Sequence, residues 1–231
     1  MTTPKTTLLI IPALLLAVAT VPAVEHEGGI GFLVAEPTGD FGAIVDDEAL
    51  GISLHYGVRP VRSLTIGLGG HAMTYGSEST RQDLPLVDDF ELTTTNNMGG
   101  GFVFAQWRPI DGPVQPYAEA RAGLTYLWTE SKLEDDDWWG WGEVARETNH
   151  DDLTTNWSAG GGLLIRLCGG NEFERKPAVY LDLGVTHTRG GEAEYLTEGA
   201  IEVVDDAAVF APSESRTDMT TYEVGVVLVF P

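Results

Sequence analysis

Ionisable residues recur on one face of several alternating segments of this chain, opposite the apolar side chains. They are Glu119, Arg121, Arg166, Asp182 and Glu223, with His55 and His71 on two further segments. Opposite charges enclosed together form pairs, because an unpaired charge away from water is costly. The pattern therefore predicts a salt-bridged network inside the protein. The alternative interpretation of the same residues is a gated or very narrow pore.

A run of carboxylates leads directly into a group of tryptophans. The residues are Asp135, Asp136, Asp137, Trp138, Trp139 and Trp141. Clustered carboxylates can bind Ca²⁺ through oxygen ligands, but the EF-hand spacing, with its mid-loop glycine and distal glutamate, is absent. We therefore predict no metal site and no cofactor, only weak binding of divalent cations to a solvated acidic loop. The tryptophans could enter the membrane interface or anchor a partner.

Catalytic motifs find little support in the sequence. A membrane hydrolase or acyltransferase acting on lipid A needs a nucleophile with a base in reach. His187 lies near the end of an apolar segment, but Thr188 falls on the opposite face and no His-x-Ser arrangement follows. The glycine runs at residues 99–101 and 160–162 lack the Lys-Ser/Thr of a phosphate loop. We predict that the protein is not an enzyme.

The segments that carry the ionisable residues have the two-residue period of β-strands. Eight of them occur, at residues 29–36, 50–59, 64–75, 94–107, 115–130, 153–167, 178–188 and 220–230. The last reads TTYEVGVVLVF, which is long enough for a strand to cross a bilayer with one face in lipid. Because unpaired backbone groups are not tolerated in hydrocarbon, such strands must close into a barrel. We expect aliphatic and aromatic side chains outside, with glycine and charge inside.

The connections between these segments alternate in length and in charge. The long ones are residues 38–49, 76–93, 131–152 and 189–218, and they carry −20 of the net charge of −22. The short ones hold Arg62, Arg108, Arg175 and Lys176. Short periplasmic turns and long external loops are typical of bacterial outer-membrane barrels. So acidic a chain also disfavours binding to nucleic acid.

The N-terminal stretch has the order of an export signal. Lys5 precedes an apolar run at residues 8–18, and small residues surround Ala23. We predict a cleaved signal peptide at residues 1–23 and one barrel domain at residues 24–231. The single cysteine, Cys168, excludes a disulfide within the chain.

The signal peptide, the eight strands, the alternating loop lengths and the terminal aromatic Phe230 together resemble the small outer-membrane β-barrel families of the OmpA-like and OmpX-like type. The resemblance covers the whole predicted mature chain and depends on pattern alone. It implies an all-β fold: an eight-stranded antiparallel up-and-down transmembrane barrel, integral to the bacterial outer membrane and monomeric. It also implies contact with outer-membrane lipid and lipopolysaccharide, and recognition of the C-terminal strand by the barrel-assembly machinery.

The predicted role is structural, or one of surface interaction through the acidic extracellular loops. The main alternative is a narrow porin-like channel. Two further alternatives are a lipid A-modifying membrane enzyme and a soluble lipocalin-like barrel. In the lipocalin-like case the apolar faces would point inward around a ligand.

Overall fold

Eight antiparallel strands close into a barrel, which confirms the predicted all-β fold. The structure is a computed structural model that describes residues 24–45, 47–84, 87–135, 143–170, 176–196, 201–204, 207–210 and 212–230. Its elements are β1 (Glu25–Pro37), α1 (Gly39–Ile44), β2 (Ala49–Val61), β3 (Leu64–Leu84), β4 (Val87–Trp107), β5 (Val114–Asp135), β6 (Glu143–Gly169), β7 (Ala178–Gly190), β8 (Glu192–Tyr195), β9 (Ile201–Val204), β10 (Ala207–Phe210), β11 (Ser213–Arg216) and β12 (Met219–Phe230). The predicted signal peptide lies outside the described residues.

Closure occurs between the first and last strands of the barrel. The strand order is β1-β12-β7-β6-β5-β4-β3-β2, and β2 returns to pair with β1. The β1–β12 register runs from His26 opposite Phe230 to Pro37 opposite Met219. Every backbone ladder of the wall is therefore continued by a neighbour, as a hydrocarbon environment requires. We call the end that holds residues 62–63 and 108–113 the turn end, and the opposite end the loop end.

Large apolar side chains cover the outside of the barrel. Leu54 is 66% exposed and Val103 is 62% exposed, whereas Glu27 on the inner face is fully buried. Other exposed apolar side chains on the wall are Ile30, Phe32, Ile52, Leu68, Leu124, Trp157, Val185, Tyr222 and Val224. This arrangement is stable only where the surroundings are themselves apolar, so the exterior is that of a membrane barrel. It is the reverse of what the lipocalin-like alternative predicts.

The interior also contains aromatic rings, which corrects the expectation that aromatic side chains all point outward. Phe102 and Phe104 of β4 are buried inside, while Val103 between them faces out. Glycines on the neighbouring strands leave room for these rings: a Cβ atom on Gly69 would lie 2.6 Å from the Phe102 ring, and one on Gly67 would lie 2.6 Å from that of Phe104. Strand parity is obeyed, but around these two rings it is Gly101, Val103 and Ala105 that face outward.

Four strands continue past the rim of the barrel, where the sequence predicted loops at residues 76–93 and 131–152. Pairing of β2 with β3 ends at Leu50 opposite Thr74. Pairing of β3 with β4 continues to Leu84 opposite Val87, and β5 remains paired with β6 as far as Glu134 opposite Glu143. Strands β3–β6 thus form a projecting sheet that extends roughly 30 Å beyond the rim, at the usual rise per strand residue.

Two of the remaining loop-end segments pack at the mouth of the barrel. Residues 38–45 contain the short helix α1, and β8 pairs with β11 in a small two-stranded sheet beside it. A second small sheet pairs β9 with β10. In the part of the chain that the structure covers, no helix is both long and apolar enough to span a membrane.

Candidate functional site

A buried ion pair closes the turn end of the interior. Arg108 follows β4, and its Nη2 donates to both carboxylate oxygens of Glu27, each at 2.7 Å. Its Nε donates to Gln106 Oε1, also at 2.7 Å. Glu27 and Arg108 are 0% and 2% exposed. Because both ions are dry, each depends on the other for its stability.

The chain of polar contacts continues upward from Gln106 to the middle of the barrel. Gln106 Nε2 donates to Glu119 Oε2 at 3.3 Å, and Glu119 accepts a second, shorter bond from Arg121 Nε. Arg121 Nη2 lies 3.3 Å from Glu223 Oε2, and Ser53 Oγ donates to Glu223 Oε1 at 2.5 Å. The inner faces of β1, β2, β4, β5 and β12 are thereby joined by one connected series, which we call the lumen network.

Three of the five residues predicted to form a charge network are joined, because Arg121 pairs with both Glu119 and Glu223. Asp182 is also buried, but it accepts a hydrogen bond from Tyr117 OH at 2.8 Å rather than from a guanidinium. Arg166 lies near the turn end, 3.5 Å from the Gly170 carbonyl oxygen, and is not part of the lumen network. Arg166 is still paired in register with the buried Tyr180, and the ladder is interrupted only after it, by a register shift between Arg166 and Cys168.

Sequence reasoning missed the ion pair at the turn end. Glu27 precedes the segment predicted for the first strand, although it shares the parity of the inward Gly29 and Gly31. Extending the two-residue alternation of β1 back from Gly29 by one period predicts that Glu27 points inward. Arg108 lies one residue past the end of β4 but keeps the inward parity of Phe104 and Gln106, so spacing places it inside without identifying its partner.

Glycine leaves the space that this network needs. A Cβ atom on Gly31 would lie 2.7 Å from Ser53 Oγ and would also contact the carboxylate of Glu223. Any side chain at this position would displace the hydrogen bond between those two residues. The inward glycines of β1 therefore leave space for side chains from the neighbouring strands.

The loop end is closed by an apolar cluster instead of by charge. Phe41 of α1 packs edge-on against Tyr75 and Tyr195, with ring centroids 5.8 Å and 5.1 Å away. The buried members of this cluster, which we call the apolar cap, are Leu33, Ala35, Phe41, Val45, Ala49, Met73, Tyr75, Met98, Leu127, Ala193, Tyr195 and Met219. Burial raises the pKa of Tyr195, whose hydroxyl lies 2.7 Å from Ser215 Oγ. The mouth of the barrel is thus filled by side chains from both the wall and the loops.

Between the lumen network and the apolar cap lies a small polar cavity of about 30 Å³. Arg121 forms its floor, Thr125, Asn156 and Thr186 contribute to its walls, and Met73 and Met219 lie at its roof. Space of this size holds a water molecule or two. It does not connect the two ends of the barrel for an ion with its hydration shell.

The acidic and tryptophan-rich candidate falls at the edge of the described structure. Asp135 ends β5, and Asp136, Asp137, Trp138, Trp139 and Trp141 lie outside the described residues. Within the described residues, no group of three or more His, Cys, Asp or Glu side chains is placed to hold a metal ion. His187, considered above as a base, is exposed on the outer wall, and its Nδ1 lies 3.2 Å from Thr220 Oγ1.

No family model matches the chain, and no curated protein matches it. Among solved structures, it is similar to Ail, the attachment invasion locus protein of Yersinia pestis, in complex with the heparin analogue sucrose octasulfate. The identity is 14% over 90% of this chain and 99% of that chain, with a TM-score of 0.43. Neisserial surface protein A has 12% identity over 90% and 96% of the two chains, with a TM-score of 0.39. A major outer membrane protein from Thermus thermophilus has 13% identity over 90% and 100%, with a TM-score of 0.40.

These likenesses are too distant to carry an argument about function. The assignment of the fold comes from the molecule itself, from its closed ring of eight strands and its apolar exterior. The fold is that of a small membrane β-barrel.

Proposed function

We propose that this protein is an outer-membrane barrel with a closed interior, and that it acts through its loop end by binding cationic partners at the cell surface. The observation that carries the proposal is the projecting sheet formed by β3–β6. A paired sheet that extends beyond the rim is more than a barrel needs to span a bilayer, and it offers a rigid platform for contact.

The charge of the loop end indicates the class of partner. The predicted loops carry −20 of the net charge of −22. Clustered carboxylates attract basic protein segments and raise the rate of encounter at low ionic strength. Divalent cations would bind the same loops weakly and would bridge them to anionic lipopolysaccharide.

The closed interior disfavours the porin-like alternative. The lumen network and the apolar cap lie one above the other, separated by a cavity of about 30 Å³. An eight-stranded barrel has room for little more than its own side chains. We also propose a non-catalytic role, and that the C-terminal strand β12 is the segment that the assembly machinery recognises.

Two measurements test the proposal. Protein reconstituted in planar bilayers is expected to show no conductance steps, and regular steps would favour the channel. Protein in micelles is expected to bind an oligolysine peptide with an affinity that falls steeply as the salt concentration rises. It is expected not to bind oligoglutamate. A variant with Asp88, Asp89 and Glu91 changed to their amides is expected to bind oligolysine more weakly. If it binds as well as the wild type, the projecting sheet is not the contact surface.

A further inference from the structure

Arg189 is placed unusually for a cation in so acidic a protein. It is exposed on the outer face of β7, near the loop end, and its guanidinium lies 5.8 Å from the centroid of the Trp157 ring. Trp157 is 55% exposed on the same outer face, and the two residues are direct cross-strand partners. Among the described residues of the barrel wall, Arg189 is the one cation that faces outward at this end, and no carboxylate there lies within ion-pair distance of it.

A second donor lies two residues away on the same face. His187 is exposed on β7 and is paired across the ladder with Thr220 of β12. When Thr220 donates to Nδ1 at 3.2 Å, the imidazole proton is on Nε2, which leaves that nitrogen as a donor to the surroundings. Side chains two residues apart on the same face of a strand have Cα atoms separated by roughly 7 Å. Arg189 leans over Trp157 of β6 and His187 leans toward Thr220 of β12, so His187 is a second donor beside the guanidinium rather than a group already placed on the same phosphate.

Two carboxylates near this site, those of Asp218 and Glu36, are engaged elsewhere or lie further away. Asp218 accepts from the Gly190 backbone N–H at 3.1 Å and lies 3.7 Å from Arg216 Nη2. Glu36 is exposed beyond Thr220, two strands from His187, which corresponds to roughly 10 Å at the usual strand spacing. Neither residue competes directly for the guanidinium of Arg189.

The surface below Arg189 suits acyl chains. Val185 is 45% exposed and Leu163 is 41% exposed on the same outer face, closer to the middle of the barrel. The cationic pair therefore lies where an apolar belt meets polar surroundings. An aromatic ring beneath a guanidinium leaves the planar N–H edge of the guanidinium free to donate, and phosphate is one of the anions that this edge fits in a bidentate manner.

We propose that Arg189, His187 and Trp157 form a binding site for the phosphate group of an outer-leaflet lipid, with its acyl chains lying along the belt below. The outward orientation of the loop end, which forms part of the proposed function, determines which leaflet supplies the lipid. The site itself depends only on the described geometry. The ligand class is a phosphorylated amphiphile, and lipid A is the probe that carries that chemistry.

The test is retention of lipid A by the detergent-solubilised protein, measured by native mass spectrometry. Wild-type protein is expected to retain diphosphorylated lipid A and to lose most of this retention with the dephosphorylated form. Arg189→Gln is expected to weaken binding about tenfold, the effect of one lost charge-assisted contact, and Arg189→Lys by less. Arg62→Gln, which removes one positive charge at the turn end, is the matched control and is expected to bind like the wild type.

Equal binding by Arg189→Gln and the wild type would overturn the site, as would equal weakening by Arg189→Gln and Arg62→Gln. If inorganic phosphate alone binds with the same dependence on Arg189, the lipid assignment is wrong. If Arg189→Gln does not fold, Trp157→Leu removes the supporting ring while keeping the cation, and unchanged lipid A binding by that variant would also contradict the proposal. Protease accessibility of the loops on intact cells separately tests the orientation, so a failure there is distinguishable from a failure of the site.

Discussion

The two ends of the barrel interior are closed by different chemistry. At the turn end, Arg108 and Glu27 are joined by two bonds of 2.7 Å and are buried from solvent. At the loop end, Phe41 fills the mouth against Tyr75 and Tyr195, and the closure is apolar. The ionic closure is formed by residues in the barrel wall or directly next to it, whereas the apolar closure also includes side chains from the loop-end connections. We therefore expect the turn end to unfold together with the barrel wall, and the loop end to open while the wall stays folded.

The largest expected effect is at the turn end. Arg108→Met leaves the Glu27 carboxylate buried without its cation, and we expect this to lower the free energy of unfolding by about 3–5 kcal/mol. Urea titration in micelles, followed by heat-modifiable gel mobility, measures it. The double variant Glu27→Met with Arg108→Met is expected to recover much of the loss, because neither charge remains. A double variant as unstable as the single one would show that lost packing, not the orphaned charge, is responsible.

A substitution in the apolar cap is expected to destabilise the loop end and to leave the barrel wall folded. Phe41→Ala removes the ring that Tyr75 and Tyr195 pack against, at a cost of about 3 kcal/mol. We expect hydrogen exchange to accelerate at the Val45 amide, which donates to Phe41 O, and to stay slow in the β1–β12 ladder. Acceleration of both regions together would contradict the independence of the two closures.

A single hydrogen bond near the middle of the barrel gives a smaller effect. Tyr117→Phe removes the donor to Asp182, which is 4% exposed, and we expect a loss of about 2 kcal/mol. Tyr126→Phe is the matched control, because its hydroxyl donates to Asp151 at 3.1 Å on the exposed surface. We expect that control to change stability little. Equal effects of the two substitutions would mean that the interior is no drier than the surface.

The smallest effect is expected at the rim of the turn end. Glu25 accepts from Arg59 at 2.7 Å, but its side chain is 34% exposed. Glu25→Gln should therefore cost less than about 1 kcal/mol, and the difference should shrink in high salt. Glu27→Gln in the same salt series should keep its larger cost, because its surroundings are dry. If both differences disappear with salt, the turn end of the barrel is open to water.

The strands of the wall could be predicted because lipid on one side and a packed interior on the other impose a strict two-residue period. The same period predicts that Glu119, Arg121 and Glu223 share one inner surface, and in the structure Arg121 contacts both glutamates. It could not predict which charges would meet, because contacts across the interior depend on the closure of the whole ring. Tyr117, for example, reaches Asp182 from another strand.

The projecting sheet and the apolar cap could not be predicted for a different reason. Outside the membrane belt, a strand needs no apolar face, so the polar continuation of β4 reads as a loop. The cap depends on Phe41, a lone aromatic in an acidic connection with no period around it. The inward orientation of Phe102 differs from the prediction, which was that aromatic side chains in a membrane strand face lipid. On β4 the smaller residue next to it, Val103, faces lipid instead.

The pairing of β1 with β12 has a consequence for the edges of the sheet. These two strands are the most distant in the chain, yet they form a continuous ladder along their length. Until β12 pairs with β1, the sheet has two edges with unpaired backbone groups, and hydrocarbon offers no hydrogen bonds to either edge. The ladder between β1 and β12 is therefore the seam that leaves no strand edge of this barrel exposed to lipid.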